Sequence, residues 1–182
     1  MKSLIIVGKT NSGKSTIAKE LEKRGYKRII TYTTRPPRKK EINGIDYHFI
    51  TQEEFNNKKE KGFFAETADY NAAFGFCSYG SSIDSYTENS VIVLNPIGLK
   101  QLKGRITNTL IVYLDVPEDV LRMRAIQRGD LSSEIERRLT VDRLDFKDIS
   151  DYYDIKINVE NKSPEEITDE IMKTENLISN LF

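Results

Sequence analysis

Residues 4–16 read LIIVGKTNSGKST, and the rest of the chain is read outward from them. Gly8, Gly13, Lys14 and Ser15 stand in the pattern G-x-x-x-x-G-K-[ST]. The pattern is short enough to arise by chance, but its flanks are specific. Leu4 to Val7 form an unbroken apolar run, which reads as a buried strand. Ile17, Ala18 and Leu21 then recur at helical spacing. Strand, glycine loop, helix is the setting in which such a loop cradles phosphate. The residue types follow from the chemistry. A polyphosphate needs several donors at close range, and backbone N–H groups supply them only where side chains stay clear, hence Gly8 and Gly13. The helix opening near Lys14 adds unpaired N–H groups and the positive end of its dipole. Lys14 is placed to reach the β- and γ-phosphates, and the Ser15 hydroxyl to ligate Mg²⁺.

The chain has 182 residues, which suits one domain with a real core and a small inserted subdomain. Basic and acidic residues both number 28, so bulk charge gives no support to nucleic-acid or membrane binding. The single cysteine, Cys77, excludes an internal disulfide, fits a reducing compartment and reads as a small hydrophobe. The single His48 leaves no His/Cys metal cluster and reads as a packed strand residue. No apolar run approaches membrane-spanning length, and the first strand begins almost at the N-terminus, leaving no signal peptide. A cytoplasmic protein is expected, as a monomer or homodimer.

The first helix is expected from about Lys14 to Arg24, ending at Gly25, and a strand from Arg28 to Tyr32. The two prolines of TTRPPRKKEINGIDYHFI forbid a helix there; Asn43-Gly44 marks a tight turn, and Ile45 to Ile50 alternates like a strand. Thr51 and Glu54 form a capping-box pair for a short helix ending by Gly62. Phe63 to Tyr70 reads as extended, and Asn71 to Ser82, small and polar, as a loop. Strands follow at Val91–Leu94, Thr109–Leu114 and Ile155–Val159. Helices are expected at Pro96–Leu102, Glu118–Gln127 and Ser133–Asp148, with a final helix opened by Ser163, Pro164 and Glu166. Strands alternating with helices imply a parallel sheet in a three-layer α/β fold. Residues 32–82 break that alternation and read as a small, mainly antiparallel insert. The remaining core is 1–31, 83–120 and 149–182, interrupted by a helical segment at 121–148.

The insert carries a second constellation. Arg35 and Arg38 sit three apart around Pro36-Pro37, with Tyr47 beyond the turn. Two guanidiniums on stiff backbone can clamp a second, terminal phosphate, with Tyr47 and Tyr79 adding hydroxyl donors; a solvated basic surface continuing into Lys39 and Lys40 is the plain alternative.

The stretch TYTTRPPRKKEINGIDYHF closely resembles the GMP-binding signature of guanylate kinases, TTRxxRxxExxGxDYxF, and the phosphate loop precedes it at the expected distance. The resemblance covers nearly the whole chain. It implies ATP-dependent phosphorylation of GMP, or dGMP, to the diphosphate with Mg²⁺. The loop residues Gly8, Lys9, Thr10, Asn11, Ser12, Gly13, Lys14, Ser15 and Thr16 would hold ATP. Arg35, Arg38, Tyr47 and Tyr79 would hold the GMP phosphate. Glu66 matches the acidic residue that reads guanine, Ser81 a base-contacting hydroxyl, and Thr31 and Asn95 also fall beside the base. The resemblance also implies a mobile lid, here residues 121–148, in which LRMRAIQRG and IERRL resemble arginine-bearing segments; that nominates Arg124, Arg128 and Arg138 around the transferring phosphoryl group beside Lys14 and Arg35. Glu41 matches the signature too, and tying the insert's loop is an equal reading of it. Asp115 could touch metal through water, or cap the helix ahead of Glu118.

Three departures stand out. Asn11 replaces a usual glycine. Val93 and Asn95 stand where the family has the two aspartates of a D-x-D pattern. ADYNAAFGFCSYGSS is longer than usual, so Phe74-Gly75 or Tyr79-Gly80 could match the family's Tyr-Gly; Tyr79 is preferred because Gly80, Ser81 and Ile83 continue the match. Three rivals are a kinase of another small phosphate ester, such as a deoxynucleotide or ribose bisphosphate, a non-catalytic protein-binding module, and a nucleotide-dependent switch, for which the sequence shows no separate effector region. The intact Gly13, Lys14 and Ser15 speak against the second.

Overall fold

The computed structural model describes residues 2–72 and 75–180. Its centre is β1 (Ser3–Gly8), buried along its whole length. Five parallel strands make the main sheet in the order β2 (Lys27–Arg28), β7 (Ser90–Val93), β1, β8 (Thr109–Asp115), β9 (Ile155–Asn158). Ile5 pairs with Ile92 on one side and Ile111 on the other. Because side chains alternate along a strand, β1 feeds two cores at once. Leu4 and Ile6 join Ile17, Leu21, Leu121 and Ile171 on one face, while Ile5 and Val7 join Leu99, Leu102, Phe146 and Ile149 on the other. Helices cover both faces, so the strand can be apolar throughout.

Helix α1 (Lys14–Lys23) leaves the loop after β1 and packs beside α6 (Pro164–Ser179). The expected capping boxes are present: Ser163 with Glu166 opens α6, and Thr51 with Glu54 opens α2 (Gln52–Glu60). Between them lie α3 (Pro96–Leu102), α4 (Glu118–Gln127) and α5 (Ser132–Asp145). Helix α5 stops three residues short of the expected Asp148, the chain turning into a short 3₁₀ turn at Ile149–Asp151. Among the described residues no helix is long and apolar enough to cross a membrane.

A second, four-stranded sheet has the order β4 (His48–Phe49), β3 (Tyr32–Thr33), β6 (Gly75–Ser82), β5 (Phe64–Ala72). It is mixed: β3 runs parallel to β4 and antiparallel to β6, and β5 runs antiparallel to β6. Three sequence expectations change here. The strand expected over Arg28–Tyr32 is two strands in two sheets, because the chain crosses from β2 to β3 between them. The strand expected over Ile45–Ile50 is confined to His48–Phe49; Ile45 and Asp46 sit instead in a turn closed by bonds to the Ile42 carbonyl. The loop expected over Asn71–Ser82 is mostly strand β6. Phe74, the other candidate of the Tyr-Gly pair, lies outside the described residues.

The β5–β6 hairpin is propped from outside. The Gln101 side-chain amide bonds both the N–H and the carbonyl of Thr67, at 3.0 and 2.7 Å, like one peptide of an extra strand. Arg105 donates to the carbonyls of Ala65 and Phe64. Both clamping side chains come from α3 and the residues just after it, so β5 is bolted to the main core.

One buried charge tests this packing. Glu175 lies on the apolar stripe of α6 with Ile167 and Ile171, and is 1 % exposed. The Tyr26 hydroxyl donates to one oxygen and the Lys2 N–H to the other at 2.6 Å. Tyr26→Phe removes one donor from a buried carboxylate, so we expect a loss of about 1–3 kcal/mol. Urea unfolding should show a lower midpoint with an unchanged slope, and an unmoved midpoint would refute the account.

Candidate functional site

The loop between β1 and α1 turns where left-handed backbone is needed. Gly13 has φ 94° and Asn11 φ 63°. Asn is the side chain that best tolerates this region, which explains how it stands in for a glycine. Ser12 N–H closes the turn on the Lys9 carbonyl at 3.1 Å. Lys14 bends back to the same carbonyl at 2.7 Å. Burial lowers its ammonium to about 8, with Asp142 opposing the shift. The Thr10 N–H donates to an Asp142 carboxylate oxygen at 2.8 Å. The exposed Ser15 opens the first turn of α1.

Beside the loop, a cleft of about 950 Å³ separates the two sheets. Its walls include Thr31, Arg38, Tyr47, Glu66, Tyr79, Asn95 and, from α5, Arg138, seven residues nominated from sequence. At one end Glu66, 4 % exposed, is held from behind. Ser81 gives its Oε1 two bonds, from N–H at 3.0 Å and from Oγ at 2.8 Å. The Ser81 hydroxyl in turn meets the Tyr86 hydroxyl at 2.7 Å, so protons point from Tyr86 to Ser81 to Glu66. Burial pushes the Glu66 carboxyl up, and the Ser81 donors oppose that. Its Oε2 has no protein partner among the described residues. A Cβ on Gly98 would come within 2.8 Å of that oxygen, so glycine is required for the carboxylate to lie there. Asn95 caps α3 through the Gly98 N–H at 2.8 Å and donates to the Tyr70 hydroxyl.

The two signature arginines have different settings. Arg35 is 4 % exposed and forms a two-pronged pair with Glu41 at 2.9 and 2.8 Å. It also donates to the Tyr79 hydroxyl at 3.1 Å and lies against the ring of Tyr47. Glu41 accepts the Arg38 N–H at 2.7 Å as well, and so ties the loop. Arg35 and the Arg38 backbone N–H hold the Glu41 carboxyl below its usual range. The Arg38 side chain is exposed toward the cleft with no carboxylate partner among the described residues.

The arginines of α4 and α5 divide similarly. Arg124 reaches the Asn11 carbonyl in a long contact of 3.4 Å and lines a smaller hollow with Gly13, Thr16 and Lys162. Arg138 faces the main cleft and pairs with Glu134 at 2.7 Å; Arg137 does the same. Arg128 is exposed and paired with Asp130. His48 stacks on Tyr32 as a strand residue, and Cys77 is buried in the cleft wall. Asp115 does not cap α4, whose first turn has no side-chain cap; it pairs with Lys156 at 3.3 Å.

Four contributors were not singled out from sequence: Tyr70, Tyr86, Arg137 and Asp142. Asp142 had a signal. It falls in helical register with Ile135, Leu139 and Phe146, all buried, so a charge there is out of place on an apolar stripe.

A parallel sheet with a glycine loop and lysine at its central strand, beside an arginine-bearing cleft, defines a P-loop nucleotide-binding kinase fold. A sequence model described as guanylate kinase matches residues 1–176. The guanylate kinase of Clostridioides difficile (strain 630) is 33 % identical over 97 % of this chain and 89 % of its own. That of Helicobacter pylori (strain ATCC 700392 / 26695) is 31 % identical over 94 % and 86 %. Among solved structures, guanylate kinase from Anaplasma phagocytophilum superposes with a TM-score of 0.67 at 24 % identity, covering 95 % of this chain and 84 % of that one. The YorR protein of Bacillus subtilis, in complex with phosphorylated GDP, gives 0.56 at 19 % identity over 98 % of both. The chain belongs to the guanylate kinase family.

The Arg35–Glu41 pair is the clasp of residues 33–50. Replacing Glu41 by Ala should speed amide hydrogen exchange there by about tenfold or more, with β1 and β8 unchanged, since a buried charge-assisted pair is lost locally. Equal exchange in both proteins would show that Glu41 does not hold the loop.

Proposed function

We propose that this chain phosphorylates GMP, or dGMP, to the diphosphate using ATP, by direct transfer between two bound nucleotides. The observation that carries this reading is the Glu66 carboxylate with one oxygen held by Ser81 and the other open to the cleft. Guanine offers N1–H and its 2-amine as adjacent donors on one edge, and an ionised carboxylate offers only acceptors. Adenine has an acceptor at N1 and lacks the amine, so it meets the same carboxylate unfavourably.

Each residue then has a task. The main-chain N–H groups of residues 8–16 and Lys14 take the ATP phosphates, and the hollow by Gly13 and Arg124 takes the rest of that nucleotide. Arg38, with the Tyr47 and Tyr79 hydroxyls, takes the acceptor phosphate; Arg35 orients Tyr79 and the loop beneath it. Arg124 and Arg138, from the α4–α5 lid, neutralise charge on the group in transfer, and Arg128 joins them once released from Asp130. The acceptor phosphate is itself the nucleophile, so alignment and charge neutralisation suffice without a general base.

Mg²⁺ fits the residues present. Among the described residues no three carboxylate, His or Cys side chains gather into a cage, and Val93 and Asn95 supply no carboxylate. A hard ion that prefers few protein ligands would be held by the Ser15 hydroxyl together with nucleotide oxygens and water. Bound there, it would supply positive charge that offsets the charge of the phosphates in transfer.

A coupled assay of ADP release across the nucleoside monophosphates tests the reading. GMP or dGMP should be the preferred acceptor, and a different preferred acceptor would defeat it. Glu66→Gln keeps size but turns the open acceptor into a donor facing guanine's own donors. It should lower kcat/KM for GMP about tenfold to a hundredfold, mainly through KM, and leave the KM for ATP unchanged. Efficiencies within about twofold of wild type would make Glu66 structural.

Lys14 gives a pH prediction. Burial leaves its ammonium titrating at about 8 in the free protein, whereas bound polyphosphate favours the protonated form. ATP affinity should therefore fall as pH rises through about 8, approaching tenfold per unit. Lys14→Arg, charged throughout, should flatten the profile. Calorimetric titration across that range decides it, a flat wild-type profile being the contrary result.

A further inference from the structure

The phosphate loop of the free protein holds an anion of its own. Asp142, on α5, accepts the Thr10 N–H at 2.8 Å and is 8 % exposed. It also acts electrostatically on Lys14, favouring its charged form. Its location is otherwise unfavourable. It sits on the stripe of Ile135, Leu139 and Phe146, where an apolar residue would pack. It also lies in the last turn of α5, where the helix dipole disfavours negative charge. Both costs are offset by the loop, whose N–H groups and lysine are arranged for an anion.

We propose that Asp142 is a built-in competitor of the donor's phosphate: it occupies the loop when the site is free and gives way when the polyphosphate arrives. The inference rests on the reading of residues 8–16 as the donor's phosphate site. Two anions cannot share the same donors without repulsion, so the carboxylate weakens donor binding by a fixed factor. Its departure also unties α5, and with it Arg138 one turn earlier on the same helix, from the loop. Donor affinity and the freedom of α5 are thereby set by one side chain.

The probe is inorganic tripolyphosphate without metal, which needs only the loop, titrated calorimetrically into the whole chain. Asp142→Asn keeps the shape and the acceptor oxygen but removes the charge. It should tighten tripolyphosphate about tenfold while GMP, bound in the other cleft, keeps its Kd. A carboxylate that merely props the loop would give equal or weaker binding in the variant, and that result overturns the proposal. Asp142→Ala serves the same purpose should the Asn variant not fold. The wild type gives an independent reading: saturating tripolyphosphate should raise hydrogen exchange along α5, and unchanged or slower exchange counts against displacement. If wild type and variants alike fail to bind tripolyphosphate, the phosphate-loop reading falls and this proposal with it. If wild type binds and loss of the charge brings no gain, the proposal alone falls.

Discussion

A chain can turn several backbone N–H groups toward one anion only where its side chains stand aside, and the rest of this molecule depends on that constraint. Left-handed backbone at Asn11 and Gly13 makes the turn possible. The turn must also be rigid, and rigidity comes from β1, buried on both faces and paired with β7 and β8. In a parallel sheet the C-terminal ends of adjacent strands lie together, so Asn95, just beyond β7, comes to the same edge as the loop. The second sheet supplies the opposite wall of the cleft.

The buried charges sort themselves by how completely they are partnered. Glu175 has a donor on each oxygen and no opening, and Glu41 is closed over Arg35. Such pairs fix geometry, since removing either partner strands a desolvated charge. Glu66 has both its protein donors on a single oxygen and faces a cleft with the other. Arg38 faces the same cleft without a carboxylate partner among the described residues. The difference between a carboxylate closed into the fold and one left open to a cleft is thus legible in its unfilled hydrogen-bonding capacity.

Sequence served well where local sterics decide the outcome. The glycine loop, the two capping boxes and the apolar strands β1, β7 and β8 each follow from rules that reach no further than a few residues. It failed where distant groups decide. Residues 75–82, GFCSYGSS, carry two glycines and three serines that speak against a strand, and form one because β3 and β5 pair with them on both sides. β5 is in turn clamped by Gln101 and Arg105, more than thirty residues away. Arg28 to Tyr32 reads as one strand because composition does not show that the chain leaves one sheet for another within it. The residues of the Thr33–Phe49 stretch were nominated by signature. What the signature could not convey was their different settings, with Arg35 buried in a pair and Arg38 facing the cleft. Asp142 escaped because a lone acid in a helix reads as solvated unless its register with Ile135 and Leu139 is weighed.

The arginines show why paired charges need not be idle ones. Arg128 with Asp130, Arg122 with Glu136 and Arg138 with Glu134 are pairs in which both partners reach solvent. Water screens each pair, so exchanging its carboxylate for another anion costs little. Arg35 and Glu41 meet where water is largely excluded, and separating them would strand a charge. The same chemical pairing is therefore permanent in one place and exchangeable in the other, and burial is what separates them. A guanidinium parked on an exposed carboxylate can leave it for another anion, and a phosphate's oxygens match the same planar, two-pronged geometry.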